Sequence, residues 1–232
     1  MRLFAIGDLH MSGGDDKPMD IFGIQWDRHF DHISENWRRL VGNEDIVLIP
    51  GDISWAMQLR DAESDLWTIN GLPGLKVLCK GNHDYWWNSI SQVRSVLPPT
   101  VRALQHSSAD LTDYVVCGTR GWQIPTAEQP LDEQDGRIYR RETERLKLAL
   151  EEAKRIAAGR PIIAMMHFPP LTAGEKDTAF TRLLEEYGVH TAVYGHLHGQ
   201  GIQCGFSGEH RGVRYRLVSC DSIGFEPAEI KI

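Results

Sequence analysis

The chain lacks any hydrophobic run near the roughly 18 residues needed to cross a bilayer, which excludes a helical membrane span. Cysteine is scarce: Cys79, Cys117, Cys204 and Cys220 are scattered, and none belongs to a C-x-x-C pair. Each sits in or near an apolar segment and reads as a buried free thiol, which fits a reducing compartment and an expected cytoplasmic location. The opening MRLFAIGDLH has one arginine and an apolar stretch too short for a signal-peptide core, with no cleavage site after it. There is no excess of positive charge. The formal net charge is −7, so the broad basic face that supports extended nucleic-acid binding is not expected. A nucleotide remains compatible, because bound metal ions supply positive charge locally. Internal repeats, low-complexity segments and linkers are also missing. At 232 residues, with 41% hydrophobic and 25% charged side chains, the expectation is one soluble globular domain spanning 1–232.

What is present is a series of short apolar runs that stop abruptly at polar residues. Residues 2–6 run into Gly7-Asp8-Leu9-His10, and 46–49 into Pro50-Gly51-Asp52. Residues 76–79 run into Gly81-Asn82-His83-Asp84. Residues 162–166 run into His167-Phe168-Pro169-Pro170, and 191–194 into Gly195-His196-Leu197-His198. Runs this short, bounded by glycine or proline, predict buried strands. Residues 114–117 and 213–218 predict two more. Helical spacing of apolar residues appears over 27–41, at Leu59, Ala62, Leu66 and Ile69, over 138–158 and over 178–187. Strands alternating with helices predict an α/β fold with a largely parallel sheet at its centre. In such folds ligand sites form beyond the carboxyl ends of the strands, where all five polar clusters lie.

Those clusters contain Asp8, His10, Asp52, Asn82, His83, His167, His196 and His198. Carboxylate, imidazole and amide groups without a thiolate suit borderline divalent metals: manganese first, with iron, zinc or nickel as alternatives. Asp8 and His10 are two apart at a strand end, as are His196 and His198, so each pair can point one way. The set exceeds what one four-coordinate ion needs. It suits two ions, roughly 3.5–4 Å apart, that share a carboxylate and clamp a group for displacement at phosphorus. Gly7, Gly51, Gly81 and Gly195 each precede a candidate ligand and permit sharp turns and close backbone approach. Taken singly, Asp52 reads as a turn residue or helix cap, and His167 as a loop histidine. The joint order and placement carry the metal reading.

The five blocks resemble the signature of the calcineurin-like metallophosphoesterase superfamily, and specifically its small bacterial phosphohydrolases. That signature runs Asp-x-His, Gly-Asp, Gly-Asn-His-Asp/Glu, a histidine after a strand, then Gly-His-x-His, and all of it occurs in order from Asp8 to His198. The resemblance implies a four-layer αββα sandwich. It implies a first metal on Asp8, His10, Asp52 and His198, and a second on Asp52, Asn82, His167 and His196, with Asp52 bridging. It makes His83 a general acid or a transition-state donor, not a ligand, and implies hydrolysis of a phosphomonoester or phosphodiester by metal-bound hydroxide. The partner implied is a small-molecule or nucleotide phosphate ester. One departure stands out. Many members read Gly-Asp-x-x-Asp-Arg, where the second Asp orients the histidine, but this chain reads Gly51-Asp52-Ile53-Ser54-Trp55-Ala56. His83 therefore needs another partner, and the protein-phosphatase branch is disfavoured. A silent protein-binding scaffold is the alternative, against which stands the retention of every ligand and of His83. A structural metal site would be thiolate-rich and closed.

Around these blocks, Tyr85, Trp86 and Trp87 read either as core or as a stacking wall for an aromatic group. Arg120, after a further strand, reads as a phosphate-gripping side chain or as a salt-bridge partner. Residues 11–26, with Asp15, Asp16 and Lys17, read as a loop over the site, and 123–136 as a second loop. His29, His32, His106, His190 and His210 receive no role.

Overall fold

The computed structural model describes residues 1–12, 19, 22–126 and 129–232. Two sheets form where the strand pattern alone predicts a single central one. The first joins β1 (Leu3–Ala5), β2 (Ile46–Pro50), β3 (Leu75–Cys79) and β4 (Val101–Leu104), all parallel, with β11 (Ala228–Glu229) antiparallel on the β1 edge. The second is ordered β5-β6-β7-β8-β10-β9. Its parallel centre is β6 (Val115–Thr119), β7 (Ile162–Met166), β8 (Thr191–Tyr194) and β10 (Val213–Leu217). β5 (Ser107–Asp110) and β9 (Gly208–His210) are antiparallel edges.

Side-chain alternation explains why there are four layers. Successive strand residues face opposite sides. Leu3, Ala5, Leu48 and Val77 meet Val116, Ile163, Met165 and Val193 between the sheets. Their neighbours Phe4, Val47, Ile49 and Leu78 face outward onto α1 (His29–Leu40), α2 (Leu59–Asn70) and α3 (Ile90–Val96) through Ile33, Trp37, Leu66 and Val93. On the far side Cys117, Ala164 and Met166 pack under α4 (Glu133–Ala157) and α5 (Ala179–Glu186) through Leu146, Leu150, Phe180 and Leu184. The chain is thus an αββα sandwich.

Several boundaries move from the sequence expectation. The strand expected at 114–117 is Val115–Thr119, and that at 213–218 is Val213–Leu217. The long helix begins at Glu133, so 133–136 belong to it and not to a loop. The reason is local: the Asp132 carboxylate accepts from Asp135 N at 2.7 Å and caps the helix, and Glu133 and Asp135 favour its amino end. Strands β4, β5, β9 and β11 and helix α3 escape the pattern because they are short, or polar as in the Ser-Ser-Ala-Asp of β5. All four cysteines are free, but Cys204 is exposed, contrary to the expected burial, because it ends a surface 3-10 turn, Gly199–Cys204. No described helix is long and apolar enough to cross a membrane.

Asp45 fastens the start of the first sheet. It accepts from Arg2 N and Arg2 Nη2, both at 2.7 Å, and from Gly42 N at 2.9 Å. Burial alone would raise its carboxyl, but the amides of Gly42 and Arg2 and the Arg2 guanidinium hold it below the ordinary value. A folded-state pKa below the unfolded one adds stability that is present above the unfolded pKa and lost as pH falls through the folded one. Asp45→Asn is expected to cost about 1–2 kcal/mol near neutral pH. The gap to wild type should close as pH falls below the ordinary carboxylate range and through the lowered folded pKa in urea unfolding. A gap independent of pH would show that Asp45 acts without its charge.

Candidate metal centre

The sandwich brings the carboxyl ends of β1, β2, β3, β7 and β8 together, and with them the polar clusters. Three ligand atoms, from Asp8, His10 and His198, converge within 4.8 Å of one another, and so do three from Asp52, His167 and His196. In the first group His198 Nε2 lies 3.2 Å from Asp8 Oδ1 and 3.4 Å from His10 Nε2. In the second, His167 Nε2 lies 2.6 Å from Asn82 Oδ1, 3.2 Å from His196 Nδ1 and 3.4 Å from Asp52 Oδ2. Asp52 Oδ2 is also 3.8 Å from His10 Nε2, so this one oxygen faces both groups. The other oxygen, Oδ1, accepts from His83 N at 2.8 Å.

Backbone strain gathers at these turns. Asp8, His10, Asp52 and His196 have φ of 61°, 42°, 51° and 74°, a left-handed region that costs non-glycine residues roughly 1 kcal/mol or more each. Three glycines are sterically required: a Cβ at Gly51, where φ is 88°, would collide with the Gly81 backbone and His167 Nδ1. A Cβ at Gly81 would collide with Asp52 Oδ1 and N, and one at Gly195 with Asp8 Oδ2.

The donor set fits cations. His167 Nδ1 sits 3.0 Å from the Pro50 carbonyl, which only accepts, so the ring proton belongs there. His167 Nε2 then offers a lone pair toward two oxygens and another imidazole nitrogen, an arrangement that a cation completes. Burial lowers His10, His167 and His196 against the opposing pull of Asp8, the last to about 3, so these rings stay in the neutral, ligating form. Burial together with Asp8 and Asp84 pushes Asp52 well up. Burial would raise Asp8 too, but His198 and its neighbours hold it low. His198 is the exception: burial would lower it, yet Asp8 and Asp221 raise it to about 10, so a cation there displaces a proton.

Motif reasoning missed one residue, Asp221, and left the direction of another, Asp84, open. Asp221 Oδ1 lies 2.9 Å from His198 Nδ1, and Oδ2 accepts from Gly199 N at 2.9 Å, so Asp221 orients the ring. It follows β10, and the strand-end rule that found the other clusters covers it too. Asp84, next to His83, is fully buried and points away from the pocket. Its carboxylate accepts from the backbone amides of Gly81, Asp52, Ile53 and Ser54 at 2.7–3.2 Å and from Trp86 Nε1 at 3.1 Å. It pins the β2 turn to the β3 turn. Asp84→Ala strands four buried amides and is expected to cost about 3–5 kcal/mol in urea unfolding. A loss under about 1 kcal/mol would mean that water replaces the carboxylate.

His83 lies on the open side of the centre and lines a cavity of about 280 Å³ with His10, Asp52, Trp55, His196 and His198. Trp55, at the place of the missing aspartate, stacks on His10 at 4.9 Å between ring centres and tilts against His83 at 4.5 Å. Tyr85 Oη is 3.4 Å from His83 Nδ1. The aromatic triplet therefore divides: Trp86 and Trp87 are core, and exposed Tyr85 flanks the site. Of the first loop, Phe22 lines the cavity and the buried ring of Trp26 stands 5.3 Å from that of His198. Gly13, Gly14, Asp15, Asp16, Lys17 and Pro18 lie outside the described residues. Gln123, Ile124, Thr126 and Gln129 line an adjoining groove of about 750 Å³ that shares His196 and Leu197 with the cavity. Arg120 lies in a separate neighbouring cavity, 3.8 Å from Glu142 and with its guanidinium 4.5 Å over Trp122.

Sandwich and strand-end ligands together define a metal-dependent phosphoesterase architecture. The chain belongs to the calcineurin-like phosphoesterase family, whose family profile matches residues 1–200, a span that holds every candidate ligand. Among solved structures it is similar to the phosphopantetheinyl hydrolase PptH of Mycobacterium tuberculosis, at 15% identity and a TM-score of 0.56, covering 94% of this chain and 88% of that one. It is also similar to AQ665 of Aquifex aeolicus, a protein of unknown function, at 13% identity and a TM-score of 0.51, covering 98% and 95%. At such identities the likeness concerns the fold. No curated protein matches the chain.

Proposed function

We propose that the chain hydrolyses a phosphomonoester or phosphodiester of a small molecule or nucleotide at a two-metal centre, as one domain over 1–232. Asp8, His10, Asp52 and His198 would hold one ion, and Asp52, Asn82, His167 and His196 the other, with manganese the first candidate and iron, zinc or nickel the alternatives. The observation that carries this reading is Asp52 Oδ2, placed 3.8 Å from His10 Nε2 and 3.4 Å from His167 Nε2. When bound, two divalent ions draw charge from the phosphoryl oxygens and make water a competent nucleophile near neutral pH.

The protein's own groups do the rest. Asp52 supplies the shared negative charge, its orientation fixed by the His83 amide. His83 stands on the cavity wall and donates a proton to the leaving oxygen. Trp55 and Tyr85 hold its ring from two sides, the task that an aspartate performs in other members. The cavity of about 280 Å³ takes the phosphoryl group, and the groove opening at His196 takes the organic part. Four free thiols support a reducing, cytoplasmic setting.

The test is hydrolysis of a chromogenic monoester and diester by chelator-stripped protein, with and without manganese. Metal-dependent turnover is expected, and the preferred ester narrows the substrate. No turnover on either ester with two ions bound would favour a scaffold.

A further inference from the structure

A second charged cavity, of about 210 Å³, lies beside the metal centre at the same carboxyl edge, and its lining includes Lys80, His106, Arg120, Arg141, Glu142 and Arg145. Lys80 sits between the end of β3 and the Gly81-Asn82-His83 turn. Arg120 follows β6, and its carbonyl accepts from His167 N at 3.1 Å and Phe168 N at 2.9 Å. The cavity and the centre are thus joined through two backbone segments. Arg141, Glu142 and Arg145 come from the third and fourth turns of α4.

Four cations face one carboxylate, in a chain whose net charge is −7. Glu142 is 1% exposed and already satisfied, by Thr119 Oγ1 at 2.7 Å on one oxygen and by Arg145 Nη1 at 2.7 Å on the other. Arg120 and Arg141 stand 3.8 and 4.0 Å away, close enough to feel its charge but not hydrogen-bonded to it. Lys80 donates to the neutral carbonyl of Trp87. Neutralising Glu142 accounts for one of the four. His106, at φ 45°, has its Nδ1 buried without a hydrogen-bond partner among the described residues. The volume is below the 300 Å³ or so of a whole-ligand pocket but sufficient for one compact anion.

We propose that this cavity is an anion subsite that binds a phosphate or pyrophosphate group, with Lys80, Arg120, Arg141 and Arg145 as its cations. Its place beside the metal centre makes the substrate one that carries a second phosphate besides the scissile ester. That last step rests on the phosphoesterase reading, but the anion site itself does not. Guanidinium pairs match phosphate oxygens bidentately, and a low-dielectric pocket strengthens the attraction.

The test is titration of the metal-free full chain with inorganic pyrophosphate by calorimetry, in wild type, Arg145→Gln, Arg141→Gln and Asp52→Asn. Wild type and Asp52→Asn should bind alike, and each arginine variant should bind at least ~10-fold more weakly. Arg145→Gln removes a hydrogen bond from buried Glu142, so its fold is checked by circular dichroism. If it does not fold, Arg141→Gln carries the result, since that side chain is 55% exposed and makes no hydrogen bond to Glu142. Absence of wild-type binding, or weakening by Asp52→Asn alone, overturns the proposal. In metal-loaded protein, the ratio of kcat/KM for a nucleoside bisphosphate over the monophosphate should fall in Arg141→Gln, through KM. An unchanged ratio overturns the substrate assignment. Intact pyrophosphate binding without any hydrolysis overturns the phosphoesterase reading and leaves the subsite standing.

Discussion

Asp52→Asn is expected to lower kcat by at least ~10³-fold, about 4 kcal/mol of transition-state stabilisation, and to bring bound metal below two ions per chain. Asparagine has the same shape but one neutral oxygen. The His83 amide fixes that oxygen, since Oδ1 is where His83 N donates at 2.8 Å. The amide NH2 then occupies the place of Oδ2, between His10 and His167. A donor stands where two cations need a shared anion. The same substitution should raise the melting temperature of metal-free protein. Asp8, Asp52 and Asp84 are buried together, and burial with those two neighbours pushes the Asp52 carboxyl well up. For a carboxyl raised in the folded state, ionisation destabilises the fold above the unfolded pKa, so removing the charge relieves it. Opposite signs with and without metal, read by metal analysis and thermal melting, distinguish a metal-holding charge from a structural one. Two ions retained with normal turnover would end the bridging role.

His83→Ala is expected to keep two metals and to lose ~10²–10⁴-fold in kcat. Its ring nitrogens belong to neither group of converging ligand atoms. The loss should shrink for an ester with an acidic phenol as leaving group, because that oxygen departs without a proton. A uniform loss across leaving groups would point instead to a donor that stabilises the phosphoryl oxygens. Loss of metal would show that the ring supports the centre. Trp55 matters here. Its indole packs on both His10 and His83, so the position that supplies a charge elsewhere in the family supplies a wall here. An aromatic wall fixes ring direction by packing.

The candidate metal ligands were legible because they lie where local rules operate. Each follows a short apolar run, and a strand that ends at Gly-Asp or Gly-Asn-His announces itself within a few residues. Spacing by two in Asp8/His10 and His196/His198 is likewise local. The signature's order then assigns Asp8, His10 and His198 to one group and Asp52, His167 and His196 to the other, as the geometry does. Asp221 escaped because it sits in no motif and its partner His198 is 23 residues away. Asp84 was visible but its direction was not: five donors from two strand ends and an indole converge on it only after β2 and β3 pair. Arg120 lay on the expected edge, yet the sandwich turns it toward Glu142 on α4.

The sequence by itself determined the α/β alternation, the strand ends that carry the candidate ligands, the metal-compatible donor set and the family signature, because all of these are encoded within short windows of the chain. The two sheets and the shared position of Asp52 came from the family resemblance and from no local pattern, and tertiary structure alone decided that Asp84 turns to the strand-end amides, that Asp221 meets His198, and that Lys80 and Arg120 meet α4 in one cavity. Those outcomes depend on which face of a strand finds which partner, and on contacts between residues far apart in the chain, which no local pattern of side chains specifies.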